Sequence, residues 1–395
     1  MQFITRVTHI EDEHTAIEEL LSGLDREDLA SIICYYTEKY DPHELRHAFN
    51  SSLTNISIIG CSSCQGIMTE KGVHFGNVVG ILAIYDIDTS AYGSGLIELA
   101  SDCNIKQATS NALNTALNNA KRVGEVPGFI ILHATPGIEE SIIQEIDNVF
   151  HTKVPIIGGS AADNNIKQQW SIFTESGATN TGFALQLFYP SQKVTAGLSA
   201  GYTPTEFKGT ITKCNDREIL EIDHQSAQDV YLEWISDHAG VEVPTHFSFE
   251  IVTEYPLGRM VGEVYTTPYY KLSHPINISI NKGLLLFTNV AVGDEVTLMS
   301  GDREQLISRA ARILKETKRN IHSEQLVIGA ICIMCAGPML YLEEDIHEVN
   351  RRIRAELSNN PFICPFTYGE QGRFIGGENA HGNLMVSSAV FHSSW

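Results

Sequence analysis

The chain has 395 residues, enough for two or three domains at about 150 residues each, and 43% of them are apolar, so a sizeable core is expected and wholesale disorder is excluded. Its 27 Lys and Arg against 48 Asp and Glu give a net charge of −21. That balance argues against a nucleic-acid binder and against docking on anionic lipid, because no surplus of cations exists to neutralise phosphates. No apolar run approaches the ~18 residues of a membrane span. Residues 1–15 lack the charged start, apolar middle and small-residue end of a signal peptide, so a cytoplasmic protein with no membrane role is expected. The eight cysteines are too sparse for a secreted disulfide scaffold and are expected reduced and buried.

Helices and strands alternate in the first part of the chain. Ile17, Leu20, Leu21 and Leu24 recur at three-and-four spacing and predict a first amphipathic helix. Residues 29–37 read as a buried strand. Asp41-Pro42-His43-Glu44 starts a helix, with Asp41 accepting free N–H groups, Pro42 in the first position and Glu44 reaching back. Residues 56–59 form a second strand, ending at Gly60-Cys61-Ser62-Ser63, and 77–85 a third. The order then restarts: a helix through Ala108, Ala112, Leu113, Ala116 and Leu117, a strand over 128–133, a helix through Ile142, Ile143, Ile146 and Phe150, and a strand over 154–157 ending at Gly158-Gly159-Ser160. Two more strands are predicted near 170–174 and 181–189.

This is an internal repeat. Laying residues 31–63 on 129–161 without a gap gives nine identities in 33: Ile32, Ile33, Thr37, Asn50, Thr54, Ile58, Ile59, Gly60 and Ser62. Unrelated segments would share roughly two. Residues 193–299 turn mostly extended, broken by Pro244, Pro256, Pro268 and Pro275. Helix periodicity returns at Leu306, Ile307, Ala310, Ile313 and Leu314. A strand over 326–335, a helix through Ile346, Val349 and Ile353, a strand over 361–368 and a last strand over 384–391 replay the same order more loosely. The fold class expected is α+β: two mixed halves, 1–220 and 221–395, packed intimately, with duplicated helix–strand–helix–strand–strand units and a strand-rich middle.

The strand-then-glycine corners at 58–63 and 156–160 are the strongest local feature. Small residues there either let backbone approach a ligand and leave N–H groups free to donate, or merely make tight exits. A serine-hydrolase elbow needs Gly-x-Ser-x-Gly, and the final glycine is missing from Gly60-Cys61-Ser62-Ser63-Cys64 and from Gly158-Gly159-Ser160-Ala161-Ala162. Cys61 and Cys64 make a Cys-x-x-Cys suited to redox or metal chemistry only if a helix begins there, and structural thiols are the alternative. Cys332 and Cys335, three apart on a strand, point to opposite faces. The run from Phe366 to His381 gathers glycine, carboxylate, amide and imidazole, as a site or a solvated loop would. His381 is the histidine best placed to ligate a metal.

Taken in order, Ile59-Gly60-Cys61-Ser62-Ser63, Ile157-Gly158-Gly159-Ser160-Ala161-Ala162-Asp163, Tyr255-Pro256-Leu257-Gly258, residues 289–299, Phe366-Thr367-Tyr368-Gly369-Glu370 and Asn379-Ala380-His381 resemble the FIST family over nearly the whole chain. The resemblance implies a FIST N-like domain over 1–220 and a FIST C-like domain over 221–395. It further implies a non-enzymatic sensor that binds a small molecule and reports to a histidine kinase or cyclic-di-GMP enzyme. A stand-alone subgroup of about this length binds haem and senses nitric oxide, so haem is the expected cofactor, with His381 as axial ligand. Homo-oligomers are compatible with this reading. The ligand is expected against Gly60, Cys61, Ser62, Ser63, Gly158, Gly159, Ser160, Tyr368, Glu370 and Asn379. The alternatives are another small ligand such as an amino acid, or a hydrolase or thiol-redox enzyme using Ser62 or Cys61/Cys64.

Overall fold

The computed structural model describes residues 1–25, 27–86, 89–240, 248–264, 266–318 and 326–393. It is an α+β protein with three mixed sheets and one antiparallel sheet, an α+β fold being expected from the sequence. The first unit runs β1 (Gln2–Thr8), α1 (Glu13–Leu21), β2 (Leu29–Tyr36), α2 (Pro42–Ser52), β3 (Ser57–Ser62), a hairpin of β4 (Gly66–Thr69) and β5 (Gly72–Phe75), and β6 (Val79–Tyr85). The second repeats it: β7 (Ala91–Glu98), α3 (Ile105–Ala120), β8 (Phe129–Ala134), α4 (Glu139–Phe150), β9 (Ile156–Ser160), a hairpin of β10 (Ile172–Thr174) and β11 (Gly177–Thr179), and β12 (Gly182–Tyr189). After β13 (Lys193–Ser199) comes an insertion of β14 (Thr203–Asn215), β15 (Glu218–Ile222), β16 (Gln225–Ser226), α5 (Ala227–Ala239), α6 (Phe249–Glu254), β17 (Leu257–Val264), β18 (Thr267–Ser273), β19 (Pro275–Ile278), β20 (Leu284–Leu286) and β21 (Glu295–Ser300). The third unit then closes with α7 (Arg303–Thr317), β22 (Val327–Cys335), α8 (Ala336–Leu342), α9 (Ile346–Glu356), β23 (Phe362–Thr367), a hairpin of β24 (Glu370–Arg373) and β25 (Asn379–Gly382), and β26 (Val386–His392). The break expected at Pro244 lies outside the described residues.

Local chemistry sets the helix starts. Asp41 accepts from His43 N at 2.7 Å with Pro42 following it. The reach back to Asp41 N comes from Glu13 of α1, at 2.8 Å, and not from Glu44, which lies 3.3 Å from His14. α7 carries a full capping box between Asp302 and Gln305.

The strand orders show how the units combine. They are β1-β6-β2-β3-β10-β11, β7-β12-β8-β9-β24-β25 and β13-β26-β22-β23-β4-β5. Each unit builds four strands of its own sheet and sends its hairpin to complete another: the first to the third, the second to the first, the third to the second. Within each sheet the two strands flanking a helix are parallel, as a βαβ crossover requires. The insertion makes an eight-stranded sheet of its own.

The registers identify equivalent residues. Ile33 pairs with Ile59, Ile131 with Ile157 and Ile331 with Ile363. All six are fully buried in one cluster, where the three units meet. At roughly 1.5–3 kcal/mol per fully buried aliphatic side chain, this shared core ties the units together strongly. One polar pair lies in it. Tyr35 and His133, at equivalent positions, join hydroxyl to Nε2 at 3.1 Å, and His133 Nδ1 donates to Gly159 O at 2.9 Å. Burial holds His133 down to about 4, so it is neutral and structural.

Candidate functional site

The glycine corners are not exits from the strands. β3 runs through Gly60 and Cys61 to Ser62, and β9 through Gly158 and Gly159 to Ser160, all fully buried. Their N–H groups are taken: Ser62 N donates to Ser171 O at 2.9 Å, Ser63 N to Tyr36 O at 2.7 Å and Ser160 N to Gly369 O at 2.9 Å. The glycines are needed for packing. A Cβ at Gly60 would lie 2.2 Å from the Phe173 ring, one at Gly158 1.7 Å from Leu132 O, and one at Gly159 2.4 Å from Thr367 Oγ1. Ser62 Oγ accepts from Ser171 N at 2.9 Å, and Ser63 Oγ bonds Gly66 O and Phe366 N. Cys61 and Cys64 are unpaired and buried in different core clusters. Burial pushes the Cys64 thiol up to about 12 and raises that of Cys61 well above its usual value, the opposite of an activated thiolate.

The predicted stretches do meet. Tyr368 N donates to Ser160 O at 3.0 Å, and β24 pairs Glu370 with Gly159. Ala162 N donates to Ser62 O at 3.1 Å, which joins the two corners. The side chains then diverge. Tyr368 OH donates to the Asp163 carboxylate at 2.8 Å. Burial pushes the Asp163 carboxyl up, but hydrogen bonds from Gln169 N, Tyr368 and Lys167 N outweigh it and hold it below its usual value. Asn379 braces β9, accepting from Ile156 N at 3.2 Å and donating to Val154 O at 2.9 Å. Glu370, fully buried, receives Met385 N at 2.9 Å and Thr367 Oγ1 at 3.0 Å. Burial raises its carboxyl to about 8, so it is protonated at neutral pH. Arg309, also buried, donates through Nη1 to Leu384 O and leaves Nε and Nη2 without a hydrogen bond.

A second polar group gathers around Ser160. Its Oγ donates to Glu139 Oε1 at 2.6 Å and accepts from Gln371 Nε2 at 3.1 Å. Gln371 also reaches His381 Nδ1 at 3.1 Å, and His381 Nε2 stands 3.8 Å from Glu139 Oε1. Arg217, in the turn between β14 and β15, bridges Glu139 at 3.2 Å and Glu140 at 3.0 Å. Burial pushes the Glu140 carboxyl up, and His381, Arg217 and the Asn289 N–H more than offset it, leaving it below its usual value. Thus Ser160 and His381 come together, whereas Glu370, Asn379 and the first corner face elsewhere. Sequence reading missed Glu139, Glu140, Arg217 and Gln371. The Glu139-Glu140 doublet at a helix start was the available signal.

Beside the joined corners opens a cavity of about 810 Å³. None of the sequence-predicted site residues lines it. Its walls come from segments beyond the central strands of all three units: Lys39 after β2, Gln65 after β3, Asn164 and Asn165 after β9, and, past β22, Glu343 and Glu344 between α8 and α9 with His347 in the first turn of α9. Gln65 N donates to Asn164 Oδ1 at 2.6 Å, pinning the first unit to the second at its wall. Both its size and its place, at the carboxyl ends of parallel strands, suit a small ligand.

Three interleaved units around one buried core, with a polar cavity at their strand ends, define a fused-repeat α+β protein. Residues 30–225 match the FIST N domain and residues 227–373 the FIST C domain. The chain belongs to the FIST family, which is associated with sensing in signal transduction. It is 21% identical over 324 residues to an uncharacterized protein of Methanocaldococcus jannaschii, MJ1623, covering 76% of this chain and 59% of that relative's length. Among solved structures it is similar to a cyanuric acid hydrolase from A. caulinodans, at 7% identity and a TM-score of 0.37, with 98% of this chain and 99% of that one covered. Among the described residues no helix is long and apolar enough to cross a membrane.

Proposed function

We propose that the protein is a non-enzymatic sensor of a small zwitterion of the amino-acid class, bound in the 810 Å³ cavity, and that the occupied state is read by a histidine kinase or a cyclic-di-GMP enzyme. The observation that carries this reading is the convergence on one hollow of loops from all three units. The lining offers one ammonium, from Lys39, to a carboxylate, and two carboxylates, from Glu343 and Glu344, to an amine. A ligand touching three units favours one arrangement of them over another, and that differential contact is what a sensor needs.

The test is a thermal-unfolding screen of amino acids against the full chain. A ligand at 100 times its Kd is expected to stabilise by about 2.7 kcal/mol. Lys39→Gln is expected to abolish that gain. A screen with no shift, or a shift retained by Lys39→Gln, would overturn the assignment.

Haem, which the sequence resemblance implies, does not fit the surroundings of His381. An axial ligand needs an apolar slot on the open side of its nitrogen. Here Nε2 faces the Glu139 carboxylate at 3.8 Å, and Gly369 presses so close that a Cβ there would be 2.5 Å from Cε1. The expected result of a haemin titration is therefore a spectrum that His381→Ala leaves unchanged. A Soret band lost in that variant would restore haem ligation.

A further inference from the structure

We propose that Glu139, Glu140 and His381 form a binding site for a divalent transition cation of the zinc type. The three residues each offer one ligand atom, and these atoms lie within 4.8 Å of one another. Ligands of a tetrahedral zinc stand roughly 3.3 Å apart, given bonds of about 2.0–2.1 Å, so small side-chain rotations close the set. Acidic clusters alone are common. This one contains an imidazole whose side chain is 1% exposed and whose Nε2, aimed at Glu139, makes no hydrogen bond. A buried polar atom without a partner is costly, and a cation between it and the carboxylates would satisfy it.

The surroundings fit metal ligation. Gln371 contacts His381 Nδ1 at 3.1 Å while its own Oε1 lies buried without a partner. The oxygen and nitrogen of an amide exchange places by a simple flip. With Oε1 turned to His381 and Ser160, it accepts from Nδ1–H and from the Ser160 hydroxyl, which turns its proton away from Glu139 Oε1; the His381 Nε2 lone pair and that carboxylate oxygen are then both free for metal, and a partner on Nδ1 is what orients most ligating histidines. Mixed imidazole and carboxylate donors favour zinc and its neighbours over calcium or magnesium, and three protein ligands leave a fourth position open.

Arg217 is the natural competitor. Its Nη2 bridges Oε2 of Glu139 and Oε2 of Glu140, offsetting charge that a cation would otherwise offset. Glu139 and Glu140 belong to the second unit, His381 to the third and Arg217 to the insertion, so cation binding acts where these parts of the chain abut. The site shares no residue with the 810 Å³ cavity, so it stands or falls separately from the ligand reading.

The experiment is zinc binding by the tag-free full chain, measured by competition with a chromophoric chelator. The wild type is expected to take up one equivalent. His381→Gln is expected to weaken binding by at least ~100-fold, and Glu140→Gln, at a partly exposed position, by about tenfold or more with an unchanged circular dichroism spectrum. Arg217→Gln is expected to tighten binding by about tenfold, since it removes a competing positive charge. Lys39→Gln should leave zinc binding as it is. A wild-type chain that takes up no zinc, or one whose single-equivalent uptake survives Glu140→Gln unchanged, overturns the proposal. Should His381→Gln fail to fold, Glu140→Gln and Arg217→Gln decide it.

Discussion

Glu370→Gln is expected to remove a fall in folding stability that the wild type shows between about pH 4.5 and 8. The carboxyl is fully buried, and burial raises it from 4.5 to about 8. Below pH 4.5 it is protonated in both the folded and unfolded chain and costs nothing. Between the two values the unfolded chain releases its proton while the folded chain keeps it, so stability drops as pH rises, by about 1.4 kcal/mol per unit. Above pH 8 the loss is complete, on the order of 5 kcal/mol. Glutamine keeps the shape and does not titrate: its amide oxygen can still accept from Met385 N, and its NH2 can donate to the Thr367 hydroxyl. Urea unfolding of both proteins at pH 5, 6.5, 8 and 9 measures the difference directly. Two parallel curves would mean that Glu370 is ionised in the folded chain. In that case the charge would need a partner, and the nearby Arg309, with two nitrogens lacking hydrogen bonds, is the group to supply it.

Gly158→Ala is expected to cost about 3–5 kcal/mol or to prevent folding. The added carbon would lie 1.7 Å from Leu132 O and 2.7 Å from its carbonyl carbon. These are backbone atoms of the adjacent parallel strand, so no side-chain rotation relieves the clash, and β8 and β9 would have to part. Gly177→Ala is the matched control. It too lies in a strand, but its Cβ would meet only Leu96 Cδ2 at 3.6 Å, an ordinary contact, so its effect should stay within about 1 kcal/mol. Comparable losses in the two variants would show that the space at Gly158 is not what makes it necessary.

Much of the architecture was legible from residue patterns. The gapless match of 31–63 to 129–161 found the first two units because the same 26-residue spacing separates Ile33 from Ile59 and Ile131 from Ile157. The third resisted for a definite reason. Ile33 and Ile331 are 298 positions apart, but Ile59 and Ile363 are 304 apart, because six extra residues lie between β22 and β23, where α8 sits. A single offset cannot align both strands. Of the short hairpin strands only β10 was anticipated, near 170–174; the others were missed, since segments of three or four residues carry too little periodicity and owe their conformation to a partner sheet. At the corners, sequence placed the right small residues together but could not say what filled the space. Phe173, Leu132 and Thr367 lie 26 to 208 positions from the glycines they crowd, and no local pattern shows them. His381 was picked out for its chemistry. The carboxylates beside it are over 200 positions away and become neighbours only through the pairing of β24 with β9.

The hairpin exchange bears on how this chain can be made. Thr69 emerges from the ribosome 294 residues before Ile363, its strand partner. Until then β4 and β5 hang as an unfinished ribbon with an open edge that any other extended segment can capture. Completion therefore waits for synthesis of the third unit, and a nascent chain stalled within that unit is expected to be prone to clumping. Cutting the chain between the two FIST domains would leave the N-terminal piece with a sheet lacking β24 and β25, and the C-terminal piece with one lacking β4, β5 and β13.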